Sequence, residues 1–171
     1  MMLSGARLTV AVGVAMLMGT AMADLRAQAV TESVHVVITG GPMAGTYDAT
    51  ETKGGCSTGA NGPGSWGNAF SNAKAGAKEI GALSLIVPDA KAAAAGTRQF
   101  MMQLRIGSIL SPSNVAYTIE TRPSEKNPQG EGTVKVADAG ATAKVTIDGK
   151  TKDGIGVTAT IDCKTVVRMD K

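Results

Sequence analysis

Apolar and polar residues alternate along most of the chain with a period of two, the pattern of β-strands that bury one face. In residues 100–106, Phe100, Met102, Leu104 and Ile106 fall on one side and Met101, Gln103 and Arg105 on the other. Residues 115–121 set Val115, Tyr117, Ile119 and Thr121 against Ala116, Thr118 and Glu120. Residues 155–163 align Ile155, Val157, Ala159, Ile161 and Cys163, so Cys163 points where the core residues point. Shorter runs at 34–39, 83–87, 133–136 and 143–147 predict further strands. Turn signals separate them: Gly40, Gly41 and Pro42, then Ser111-Pro112, Asn127-Pro128, Asp148-Gly149 and Asp153-Gly154. One short helix is predicted at 89–95, with Asp89 capping an alanine-rich turn that Gly96 ends. Many short strands joined by glycine-rich turns predict an all-β fold, an antiparallel β-sandwich, with a small β-barrel as the alternative.

The amino-terminal residues break this pattern. Arg7 is followed by an uncharged apolar stretch over 8–18, and then by small residues at Ala21 and Ala23 and again at Ala27 and Ala29. This is the layout of a secretory signal peptide, residues 1–23, with cleavage after residue 29 as the alternative. The apolar stretch is shorter than the roughly 20 residues that a spanning helix needs, so no transmembrane anchor is expected after processing. Residues 24–171 then form a single exported domain, secreted or periplasmic in a bacterium. Five of the nine methionines, Met1, Met2, Met16, Met18 and Met22, leave with the signal, which removes the appearance of a methionine-rich copper protein.

Export changes the meaning of the two cysteines. In an oxidising compartment an even count reads as a disulfide, here Cys56 to Cys163, and no Cys-x-x-Cys spacing points to metal or redox work. Cys56 lies in the glycine-rich segment 53–67, which reads as one long loop and is the first place to expect a ligand. Ser57, Trp66 and Asn68 are its candidate ligand residues, although Trp66 reads first as a core residue packed beside the disulfide, as in many sandwiches, and second as a platform for a sugar or peptide. The string Gly55, Cys56, Ser57, Thr58, Gly59 matches the G-x-S-x-G of serine hydrolases, and Ser57 would be the nucleophile of an envelope hydrolase. The context argues against it, because that motif needs a strand-to-helix turn and a histidine later in the chain, whereas the one histidine, His35, comes earlier. His35 alone supplies too few ligands for a metal, and Asp148-Gly149 and Asp153-Gly154 read as hairpin turns rather than calcium loops. No cofactor is expected.

Charge narrows the partners. The formal net charge is +3, and the lysines and arginines are scattered, so no basic stripe tracks a phosphate backbone. Two Phe, two Tyr and one Trp are too few for base-stacking platforms or for the aromatic girdles of an outer-membrane barrel. Residues 132–163, with Ile147, Gly149 and Thr151 followed by Cys163, resemble the carboxy-terminal part of small mycobacterial-type lipoprotein antigens of the 19-kDa class. The resemblance implies a compact β-sandwich that acts as an exported surface or interaction protein. The acylated cysteine of those lipoproteins has no counterpart near either cleavage site. The expected function is therefore non-catalytic binding or envelope interaction, with a protein, glycan or small molecule as partner and no nucleic acid. A small-molecule carrier barrel and a Ser57 hydrolase stand as alternatives.

Overall fold

The computed structural model describes residues 29–122 and 126–169. The signal-peptide reading of residues 1–23 and the Asp24 cleavage site lie outside the described residues, and the alternative site after residue 29 lies at their edge.

Eleven strands and one helix appear among the described residues. In chain order they are β1 (Glu32–Thr39), β2 (Gly45–Glu51), β3 (Gly55–Thr58), β4 (Trp66–Ser71), β5 (Ile80–Val87), α1 (Ala90–Ala95), β6 (Met101–Ile106), β7 (Val115–Glu120), β8 (Glu131–Asp138), β9 (Ala143–Lys150), β10 (Gly156–Cys163) and β11 (Val166–Arg168). They form a five-stranded sheet in the order β2-β1-β10-β9-β8 and a six-stranded sheet in the order β11-β3-β4-β5-β6-β7. Every pairing is antiparallel except the parallel contact of β11 with β3. The fold is the expected all-β sandwich. The barrel alternative is overturned, since the sheets are separate and each ends in unclosed edge strands.

The sheets pack with their strands crossing. At one end of the first sheet lie β11 and β3. The Val166 N–H donates to the Ala141 carbonyl in the β8–β9 turn at 3.0 Å, and Cys56 of β3 is bonded to Cys163, the last residue of β10. At the other end lies β7, where Glu120 pairs with Gln129 just before β8 and the Ile119 Cδ1 atom approaches Gly149 of β9. The strand order of the second sheet thus runs along the strand direction of the first, the orthogonal arrangement. Between them the inward residues of every strand make one core, from Val34, Val36 and Ile38 to Trp66, Phe70, Leu83, Leu85, Met102, Leu104, Val145 and Ile161.

Most predicted elements are present, including the helix. The Asp89 carboxylate accepts from the Ala92 N–H at 2.9 Å, Gly96 ends the helix at φ +104°, and Ala93 is buried while α1 packs on β8. Two expectations need correction. Asp148-Gly149 is not a turn but lies within β9, paired with Thr133 and Gly132 of β8. A Cβ on Gly149 would stand 2.8 Å from both the Glu131 carbonyl and Ile119 Cδ1, and one on Gly132 would stand 3.3 Å from the Phe100 ring, so this bare pair makes room for the other sheet. The segment 53–67 is not one loop either: β3 occupies its first part, and only residues 59–65 connect the strands.

Candidate functional site

Ser57, Trp66 and Asn68 do not share a surface. On β3, Cys56 and Thr58 face the core and Ser57 alternates outward, half-buried. On β4, Trp66, Asn68 and Phe70 all face the core, and Trp66 is completely buried. The short connection between them folds on itself: the Gly59 N–H donates to the Ser65 carbonyl at 2.9 Å, and the Asn61 N–H donates to Ser65 Oγ at 3.1 Å. Its Gly64 carbonyl then accepts from the Ala90 N–H at 2.8 Å, tying the connection to α1.

His35 lies on the outer face of the first sheet, so the core separates it from Ser57 on the outer face of the second. Its Nδ1 is 2.7 Å from the Asp48 carboxylate, and both side chains are more than half exposed, 51% and 75%. Register places Asp48, His35 and Thr160 in one row across β2, β1 and β10. The row has the residue types of a nucleophile, base and orienting acid and lines an open depression of about 430 Å³ on the outer face of the sheet, together with Ser33, Thr50 and Asp162. Strand β1 is hydrogen-bonded on both sides, so its backbone N–H groups are committed to the sheet and none remains to stabilise an oxyanion. Among the described residues, no three His, Cys, Asp or Glu side chains come together as metal ligands, and no helix is long and apolar enough to cross a membrane.

Sequence reasoning missed a polar cluster inside the core. Glu32, the first residue of β1, continues the inward face of Val34, Val36 and Ile38 and has no exposed surface. It stands opposite Cys163 on β10 and opposite Glu51 on β2. Across the interface, Asn68 Nδ2 donates to Glu32 Oε2, and the Cys56 sulfur is 3.7 Å from both Glu32 Oε2 and Asn68 Nδ2. Glu32 Oε1, Asn68 Oδ1 and the Trp66 Nε1–H have no hydrogen-bond partner among the described residues. Burial drives the Glu32 carboxyl up to about 7, the Asn68 hydrogen bond opposes this, and the like charge of Glu51 adds to it. The only early signal is positional, since Glu32 and Val34 share strand parity.

An open cleft of about 580 Å³ lies at the opposite end of the first sheet, beside the bare glycine pair. Arg98, Gln99 and Thr121 come from the segments flanking β6 and β7, and Glu131, Asp148 and Lys150 come from β8 and β9. Backbone at Gly130, Gly132 and Gly149 completes the lining. The two rims are held together by backbone: Thr97 and Val134 exchange hydrogen bonds of 2.9 and 2.8 Å, and the Gln129 N–H donates to the Glu120 carbonyl at 2.9 Å. Just outside, Arg122 Nε donates to Glu120 Oε1 at 2.5 Å and holds the end of β7. The cleft offers charges of both signs, hydroxyl and amide groups, and exposed main chain.

Comparison of the chain with protein families, with curated proteins and with solved structures finds no match.

Proposed function

We propose that the chain is an exported, non-catalytic binding protein of a bacterial envelope, secreted or periplasmic, and that its ligand occupies the cleft between Arg98 and Lys150. One observation carries this reading: a cleft of about 580 Å³, the size of a small-ligand site, is built on backbone-tied elements, with charged and polar side chains of both signs set around apolar surface and glycine backbone. The disulfide supports export, because such bonds persist in oxidising compartments. The lining favours a ligand with hydroxyls and with charges of both signs. Arg98 and Lys150 face carboxylates on it, while Glu131 and Asp148 face amines. Soluble cell-wall muropeptides have this chemistry, joining sugar hydroxyls to a charged peptide stem.

The test is a titration of labelled protein with muropeptides, and separately with neutral oligosaccharides, followed by amide chemical shifts. Muropeptides are expected to move Arg98, Gln99, Glu131, Gly149 and Lys150. Arg98→Glu with Lys150→Glu is expected to weaken binding about tenfold or more, the loss of roughly 1.4 kcal/mol. Shifts mapping elsewhere, or none with either ligand, would overturn the site. Equal affinity for neutral sugars would remove the role given to the charges, and labelling of Ser57 by a serine-hydrolase probe would overturn the non-catalytic reading.

A further inference from the structure

We propose that Glu32 and Asn68 hold one proton between them as a neutral acid–amide pair, which makes the disulfide seam a clamp that is tightest in mildly acidic surroundings. The inference concerns the end of the sandwich away from the cleft and does not depend on what the cleft binds. It starts from atoms. Asn68 Nδ2 already donates to Glu32 Oε2, and the two acceptors left without partners, Glu32 Oε1 and Asn68 Oδ1, are the remaining oxygens of the same two groups. With Glu32 ionised, both are buried acceptors with nothing to accept, an expensive arrangement. A proton on Oε1 donated to Oδ1 satisfies both at once and closes a two-bond ring between carboxylic acid and carboxamide.

The surroundings favour the neutral form. Glu32 has no exposed surface, and Asn68 is 4% exposed. Facing Glu32 are Cys163 from β10, the Cys56 sulfur from β3, Asn68 from β4 and Glu51 from β2. The neighbouring cations, Lys53 before β3 and Lys164 after β10, are exposed at the surface. Among the described residues, the one charge that bears on Glu32 is therefore that of Glu51, which has the same sign. The pair also spans the two sheets beside the Cys56–Cys163 bond, so its proton belongs to the interface rather than to one strand.

The sign follows from linkage. A carboxyl whose ionisation is raised on folding binds its proton more tightly in the folded chain. The resulting stability is fully present below the ordinary range near 4.5 and is lost as pH rises through about 7. The experiment follows the side-chain carboxyl carbon of Glu32 and the side-chain amide of Asn68 by NMR from pH 4 to 9 in the oxidised protein, with denaturant unfolding of wild type and Glu32→Gln alongside. Both resonances are expected to titrate together near neutrality. The wild-type folding constant is expected to fall on the order of a hundredfold between about pH 5 and 8. Relative to Glu32→Gln, whose neutral amide keeps the ring, this decline should stand out clearly. A Glu32 carboxyl that titrates below about pH 5, or an Asn68 amide that does not move with it, would overturn the proposal. Should Glu32→Gln fail to fold, the two wild-type titrations decide alone.

Discussion

A single missing side chain decides how closely the sheets approach at Gly149. Alanine there would press its methyl against the Glu131 carbonyl and Ile119, with Gly132 Cα at 3.3 Å, and the backbone on one side cannot yield as a flexible side chain would. Gly149→Ala is expected to destabilise by about 1–3 kcal/mol in denaturant unfolding, while Lys150→Ala, exposed on the outer face, should stay within about 0.5 kcal/mol. A result for Gly149→Ala no larger than that control would mean the sheets do not need the bare pair. The opposite change at Trp66, emptying a fully buried volume, is expected to cost about 3–5 kcal/mol for Trp66→Ala. Trp66 was legible as a core tryptophan of the sandwich, with a ligand platform as the other reading because its setting among glycines imitates a loop, and its complete burial decides for the core. Gly149 was misread as a turn for a related reason. Asp-Gly has the local preferences of a turn, and only the approach of Ile119 from the other sheet explains why it lies in a strand.

Elements were legible where their inward positions are aliphatic, as in β1, β5, β6, β9 and β10, and hidden where the inward face mixes chemistry. Strand β4 buries Trp66, Asn68 and Phe70, and the polar amide in the middle breaks the alternation that marks a strand. Strand β2 buries only Tyr47 closely, with Ala49 half-buried, and β3 and β11 are four and three residues long, too short for a period to register. The polar cluster was illegible for a deeper reason: Glu32 and Asn68 are 36 residues apart and meet only because the sheets cross. The helix is the converse case, since its cap and stop are local. Asp89→Ala should remove the bond to the Ala92 N–H and cost about 1 kcal/mol, seen as faster hydrogen exchange across α1. Unchanged exchange at Ala92 and Ala93 would show that packing on β8, rather than the cap, holds this turn of helix in place.

At the scale of the molecule, the disulfide and the buried acid act at one seam. The Cys56–Cys163 bond spans 107 residues, and in the chain-entropy model a loop of that length restricts the unfolded chain by about 4–5 kcal/mol. Cys163→Ala, which leaves the strand ladders and the aliphatic core in place, is expected to lower the melting temperature markedly without changing far-ultraviolet circular dichroism. Equal melting temperatures would refute the structural role of the bond. The pH dependence of stability sums groups with opposite signs. Asp138 is held below the ordinary carboxylate range by the hydrogen bond from Arg168, which outweighs its burial. Burial pushes Glu51 up, but N–H groups of Lys53, Thr52, Ser71 and Gly54 outweigh it and leave that carboxyl lowered too. Stability from these two is present above the ordinary range and is lost as pH falls through their depressed values, whereas stability from Glu32 is lost as pH rises through about 7. The two losses lie on opposite sides of the ordinary carboxylate range, so unfolding midpoints measured across pH should pass through a maximum between about 4 and 5. In Arg168→Ala the acidic limb should flatten, because Asp138 loses the donor that depresses it, and in Glu32→Gln the limb between about 5 and 7 should flatten instead. A maximum at neutral or alkaline pH in the wild type would mean that Glu32 ionises freely in the folded chain and that the seam carries charge rather than a proton.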